Sequence, residues 1–224
     1  MAHYEIEIKT LLGAAERAEA LKQKMQTLDP STTCVAKNKQ LNHYFEGGDI
    51  KALYEVVKDL FSAEDLQKLS EIVERGSDFS VRTRQKDEEV LLVVKASVDG
   101  GTSENTVSRL EFEEPVNLTL DELDALVIGA GYTYQAKWSR EREEYLCRGT
   151  NVCLDKNAGY GYLAEFERVV PEGSDLASVK DELASLMNEL EVVELSQERL
   201  ARMFEHYNQN WADYYGTDKV FNIE

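Results

Sequence analysis

The stretch Glu5-Ile6-Glu7-Ile8-Lys9 alternates ionic and β-branched residues at period two. In a strand this spacing puts Glu5, Glu7 and Lys9 on one face and Ile6 and Ile8 on the other. One such strand is an ordinary solvated sheet edge. The alternation returns, however, at Arg82/Arg84, Arg109/Glu111/Glu113, Arg140/Arg142 and Glu165/Glu167. Three Glu-x-Glu pairs and two Arg-x-Arg pairs on an open sheet face would set like charges side by side for no structural gain. The set therefore predicts strands with one ionic and one apolar face, wrapped so that a polar interior lies inside an apolar shell.

The bulk numbers bound this reading. The chain has 224 residues, 42% of them hydrophobic and 30% charged, with a net charge of -18. It is long enough to bury a core. So acidic a surface repels nucleic acid and anionic membranes, and neither is expected as a partner. A small anionic substrate is compatible, because a local basic cluster dominates inside a low-dielectric cleft. Cys34, Cys147 and Cys153 form no CxxC and no disulfide framework. Cys147 and Cys153 read as small hydrophobic fillers. The N-terminus has no apolar signal region, and no run approaches a membrane span. These features predict a cytoplasmic protein. His3, His43 and His206 are scattered, so any metal is expected to be hard and oxygen-liganded.

Outward from the opening strand, the pattern predicts a strand over 4–9 and a helix over 13–28, closed by Pro30. A second strand is expected over 40–46 and two short amphipathic helices over 49–61 and 63–75. This helical pair reads as an insertion, at about 47–77, into a single domain spanning 1–224. Strands follow over 79–85 and 90–97, joined by a turn at 86–89, then a looser turn at 99–102 and a strand over 106–115. Thr119 and Glu122 form a capping box that opens a helix to about Gly129. Strands over 132–137, 139–147, 152–156 and 162–170 complete the sheet, with turns at 148–151 and 157–161. Helices over 175–191 and 196–215 end the chain. This meander with intervening helices predicts an α+β fold with an eight-stranded antiparallel β-barrel. Such a barrel has room for side chains or one small ligand.

With the ionic faces turned inward, the cations are Lys9, Arg82, Arg84, Lys95, Arg109, Arg140 and Arg142. The anions are Glu5, Glu7, Glu111, Glu113, Asp155, Glu165 and Glu167. Guanidinium forks match phosphate oxygens, and lysines add point charge. Crowded carboxylates are costly unless a divalent cation sits between them, and Glu-x-Glu on neighbouring strands suits Mg²⁺ or Mn²⁺. The combination predicts a metal with several phosphates.

These motifs resemble the CYTH-domain proteins of the triphosphate tunnel metalloenzyme superfamily. The Glu-x-Glu-x-Lys signature stands intact as Glu5, Glu7 and Lys9. SVRTRQ resembles the family's Arg-x-Arg strand, LLVVKAS its lysine strand and SRLEFEEPV its Arg-x-Glu-x-Glu strand. VCLDKNAGYGYLAEFE resembles its last hairpin. The chain departs from the pattern in carrying Arg140-x-Arg142 before Tyr145 where the family commonly has Lys-x-Arg, with Lys137 as an alternative basic contributor. The helical insertion is a second departure, either a lid or a partner surface.

The resemblance implies a tunnel that binds a triphosphate lengthwise and hydrolyses it, with water attacking the terminal phosphorus while a divalent cation neutralises the developing charge. It assigns Glu5, Glu7 and Lys9 to catalysis and Lys9, Arg82, Arg84, Lys95, Arg109, Arg140 and Arg142 to substrate. It assigns Glu5, Glu7, Glu111, Glu113, Asp155, Glu165 and Glu167 to metal, with Asp155 also able to orient a basic residue or water. Class IV adenylate cyclase and thiamine triphosphatase are alternatives within the fold, and a non-catalytic polyphosphate-binding module is a third. Phe204, Tyr207, Trp211, Tyr214 and Tyr215 read as a packing stripe. By the resemblance, the same helix is a plug at one tunnel mouth that would carry Lys219 toward the triphosphate tail.

Overall fold

Alternation at period two survives into three dimensions as strands with unlike faces. The structure, a computed structural model, describes residues 3–97, 109–171 and 174–223, with only the backbone described at 3–5 and 109. The turn expected at 99–102 and the strand start at 106–108 lie outside the described residues. Eight strands form: β1 (His3–Gly13), β2 (Thr33–Gly47), β3 (Ser77–Lys86), β4 (Glu89–Ser97), β5 (Arg109–Val116), β6 (Tyr132–Cys147), β7 (Thr150–Asn157) and β8 (Gly161–Pro171). The helices are α1 (Ala15–Leu28), α2 (Ile50–Val57), α3 (Ala63–Arg75), α4 (Leu120–Gly129), α5 (Leu176–Glu189) and α6 (Gln197–Asn210).

The strands join in the order β1-β8-β7-β6-β2-β3-β4-β5. The chain is therefore α+β with an eight-stranded antiparallel sheet, as expected. Among the described residues no ladder joins β1 to β5, so hydrogen bonds do not close the sheet. Two compact units are distinguished: residues 3–38, 139–171 and 174–223 form one, and 39–97 with 109–138 form the other. They are called the first and second units below. No helix among the described residues is long and apolar enough to cross a membrane.

In the first unit, Ile6 and Ile8 of β1 and Ala164 and Phe166 of β8 turn one face of the sheet toward α1 and α5. Leu21 and Met25 of α1 and Leu183 and Met187 of α5 cover that face. Cys147 belongs to this core, as a filler should. The turn between β6 and β7 is Arg148-Gly149, both at positive φ (47° and 71°), which matches the right-handed twist of a two-residue hairpin. Of the aromatic residues expected on one helix, Tyr207 of α6 is fully buried with its ring 5.9 Å from Tyr160, Phe204 is exposed, and Trp211, Tyr214 and Tyr215 follow the helix end at Asn210. Lys219 is exposed, and its carbonyl accepts from Gly159 N–H. At Gly159 (φ 81°), a Cβ would meet the Tyr207 ring at 2.7 Å, so a larger residue does not fit.

In the second unit, Val81, Leu92, Val94 and Phe112 form the apolar face. Helices α2 and α3 lay Leu53, Val57, Leu69 and Ile72 on it, and α4 adds Leu123 and Val127. Ser62 caps α3 by accepting from Asp65 N–H, and Thr119 with Glu122 forms the expected capping box on α4. The inserted helices are thus part of this unit's core.

Three strands outrun the sequence expectation, the first being β1, which continues past residue 9 to Gly13. β2 begins at Thr33, not near residue 40, because its first half is exposed and shows no buried period. The two strands expected at 132–137 and 139–147 are one strand, β6, continuous through the buried Trp138.

Because Leu69 lies in the core, Leu69→Ala should destabilise the protein by about 2–5 kcal/mol. Urea unfolding measures it, and a loss below about 1 kcal/mol would return the helical pair to the status of an appendage.

Candidate active site

Apart from Glu5 and Arg109, the charged residues picked out by alternation fall on the sheet faces turned away from the helices, in both units. In the first unit the ladder register sets Lys9 opposite Glu165 and Glu7 opposite Glu167. On the next strands Asp155 faces Arg142 across β7 and β6 and faces Leu163 across β7 and β8.

Asp155 is the best-buried charge of this face, 1% exposed beside the buried Leu163. Arg142 donates to both its oxygens, Nε to Oδ1 at 2.7 Å and Nη2 to Oδ2 at 2.6 Å. Arg140 Nη1 donates to Oδ2 at 3.0 Å. One carboxylate therefore fixes two guanidinium groups on one strand, in the bidentate geometry that suits arginine. Arg142 also donates to Glu165 Oε2 at 2.5 Å. Burial opposes the charge on Arg142, but Asp155 and Glu165 together raise its pKa further.

Glu165 stands between two cations. Lys9 Nζ is 3.3 Å from its Oε1, on the side away from Arg142. Burial pushes its pKa up, but Lys9, Arg142 and Arg140 pull it down to about 2. Lys9 also contacts the buried Oε1 of Glu7. Cys153 lies on this ionic face, not in the apolar core, opposite Glu165. Burial pushes its thiol up to about 12, so it stays neutral. Tyr145 turns to the other face, donates to Glu143 and packs near the helices.

In the second unit, Arg84 is 9% exposed. Its Nε donates to Asn42 Oδ1 at 2.7 Å and its Nη1 to Glu113 Oε1 at 2.6 Å. The Arg82 guanidinium lies 4.4 Å over the Tyr44 ring, a cation–π contact, and its Nε donates to Ser80. Lys95 Nζ donates to Glu111 at 2.6 Å. Lys137 does not join this face: it lies over the Tyr134 ring and 4.0 Å from Asp124. The side chains of Glu5 and Arg109 are outside the described residues.

Asn42 and Tyr44 were not singled out as site residues. The signal was present in QLNHYFE, where Gln40, Asn42 and Tyr44 alternate with Leu41, His43 and Phe45, but uncharged side chains do not stand out.

For a divalent cation the donor chemistry fits. Glu7 and Glu167 are like charges directly opposite on an antiparallel pair, and the Lys9 ammonium in contact with Glu7 offsets part of their repulsion. Among the described residues no three His, Cys, Asp or Glu side chains form a ready-made cage. Mg²⁺ commonly uses only one or two carboxylates, and fills its remaining positions with water and substrate phosphate.

A family model for the CYTH domain matches residues 63–201. No curated protein matches the chain in sequence. Solved structures do match. The PH1819 protein of Pyrococcus horikoshii has a TM-score of 0.59 at 19% identity, covering 91% of this chain and 99% of its own. A conserved hypothetical protein of Pyrococcus furiosus has 0.57 at 16%, covering 87% and 93%. A candidate adenylate cyclase of Vibrio parahaemolyticus has 0.57 at 13%, covering 92% and 99%. Likeness at these identities establishes the fold.

The lowered pKa of Glu165 sets an acid limb. A depressed carboxylate stabilises the fold fully above its unfolded value, about 4.3, and that contribution is lost as pH falls through its folded value. Between those limits Glu165→Gln should lose stability less steeply than wild type in acid-unfolding curves. Parallel curves would show that Glu165 is not held ionised.

Proposed function

The chain belongs to the CYTH domain family, and we propose that it is a divalent-metal-dependent hydrolase of inorganic triphosphate or of compounds with a triphosphate tail. CYTH proteins are triphosphatases or cyclases that bind triphosphate substrates and depend on metal. The observation that carries the reading is the Glu7–Glu167 pair, two ladder positions from Lys9–Glu165 and so on the same face. It offers hard oxygen donors next to fixed cations on one sheet face.

Each residue has a role in this reading. Glu7, Glu165 and Glu167 hold Mg²⁺ or Mn²⁺, and Glu5 joins them on the strength of the sequence motif. When bound, the cation shields the charge that develops on the transferred phosphate. Lys9, Arg140 and Arg142 hold phosphate oxygens in the first unit. Arg82, Arg84 and Lys95, with Arg109 by the motif, are the phosphate-binding set of the second. Because the transferred phosphoryl group carries spread negative charge, fixed cations do most of the protein's work. Asp155 has both oxygens engaged by arginine, so we assign it to orienting Arg140 and Arg142, not to metal. Glu111 and Glu113, paired to Lys95 and Arg84, act through those cations or through water.

The test is phosphate release from inorganic triphosphate with Mg²⁺ or Mn²⁺, wild type beside Glu7→Gln. Wild type should release phosphate only with metal, and the variant should be slower by at least about 100-fold. No release by wild type under either metal would overturn the reading. ATP in the same assay separates the alternatives: cyclic AMP with pyrophosphate marks a cyclase. Triphosphate binding without turnover marks a binding module.

A further inference from the structure

Behind the two arginines of β3, on the helix-facing side of the same strands, lies a buried carboxylate that phosphate binding does not use. Asp124 of α4 is 2% exposed. Its Oδ1 accepts from Thr83 Oγ1 at 2.5 Å. Its Oδ2 accepts from Tyr134 Oη at 2.6 Å and from His43 Nδ1 at 2.7 Å. Thr83 and His43 are themselves buried. One side chain thus ties three strands, β2, β3 and β6, to one helix.

The attachment points are not arbitrary. His43 and Thr83 are direct ladder partners. The pairs on either side of them are Asn42 with Arg84 and Tyr44 with Arg82. Successive side chains alternate between faces, so the two strand residues held by Asp124 sit back to back with the two arginine supports. A slip of one residue between β2 and β3 would turn the arginine partners to the wrong face.

An acid here needs a reason. Asp124 occupies the buried stripe of α4 with Leu120, Leu123 and Val127, where an apolar residue would pack without desolvating a charge. Burial opposes its ionisation, yet the donors from His43, Thr83 and Tyr134 hold its carboxyl below the usual range. What the carboxylate supplies, and leucine would not, is direction.

We propose that Asp124 is a positioning residue for anion binding: by bonding His43 and Thr83 from behind, it fixes the β2–β3 pairing that holds Arg84 on Asn42 and Arg82 on Tyr44. The proposal rests on the reading of Arg82 and Arg84 as phosphate ligands.

Two readouts test it. The first needs no ligand: the Arg84 Nε–H proton, bonded to Asn42, should exchange slowly by NMR in wild type and about tenfold faster in Asp124→Asn. The second is the Kd for inorganic tripolyphosphate by calorimetry, which should rise by about tenfold in the same variant. Val127→Ala, on the same helix, removes packing without touching the bonds. At a matched fall in Tm it should leave both readouts within about twofold of wild type. Unchanged exchange in Asp124→Asn, or equal effects in Val127→Ala, would overturn the proposal. If Asp124→Asn does not fold, Thr83→Val should show the faster exchange and Thr83→Ser should restore it. Failure of Thr83→Val to speed exchange would overturn it too. If wild type binds no tripolyphosphate, the hydrolase reading falls, and the exchange measurement alone decides the role of Asp124.

Discussion

The constraint from which the rest follows is that charges removed from water must be met at once by opposite charges or hydrogen bonds. On the ionic faces of this sheet they are. Asp155 meets Arg140 and Arg142, Glu165 meets Arg142 and Lys9, Glu113 meets Arg84 and Glu111 meets Lys95. Each pair joins different strands, and Arg142–Glu165 and Arg84–Glu113 reach across the intervening β7 and β4, so the pairing needs the ladder register to be right. The register in turn needs the opposite faces to be apolar and covered, which is the task of α1 and α5 in one unit and of α2, α3 and α4 in the other. Charge pairing, strand register and helix packing are therefore one condition seen from three sides.

The pairing also explains why such faces suit an anion. An arginine already held by a carboxylate has lost little freedom still to be lost on binding, and its fork keeps unused donors. Arg142 is the clearest case, fixed by Asp155 at two points before any ligand arrives. The acidic partners are the counterpart: they keep the face near neutrality in the absence of phosphate, and their oxygens are the hard donors that a divalent cation takes.

Much of this was legible in the chain itself. EIEIK, VRTRQ and the Glu-x-Glu pairs carried the face assignment because charge at period two has few structural uses, and the capping box of α4 was read from Thr119 and Glu122 alone. Three things were not legible. The first half of β2 has no buried side to imprint a period on the sequence. Cys153 reads as a core filler by residue type, and only the register shows that it stands beside Glu165 on the ionic face. Asp124 sits at i+4 from Leu120 on an apolar stripe, so its oddity was visible in LDELDALV, but its partners come from residues 43, 83 and 134. No local window joins those positions.

The net charge of -18 bears on these faces less than its size suggests. Most of the excess acid lies on exposed positions, where counterions screen it within about 8 Å at physiological salt. The cations of the ionic faces are half-buried or better, in surroundings where a charge acts more strongly and over a longer range. Lys9, Arg84, Arg140 and Arg142 are all in this class. An anion that reaches such a face is governed by the fixed groups beside it. The acidic exterior acts on which molecules approach: it turns away large polyanions whose charge extends over the surface, and weighs least against a compact one whose charge fits among the arginines. On the proposed function, a strongly acidic chain with a cation-bearing sheet face is thus a selective arrangement for a small phosphate compound, and composition alone conceals it.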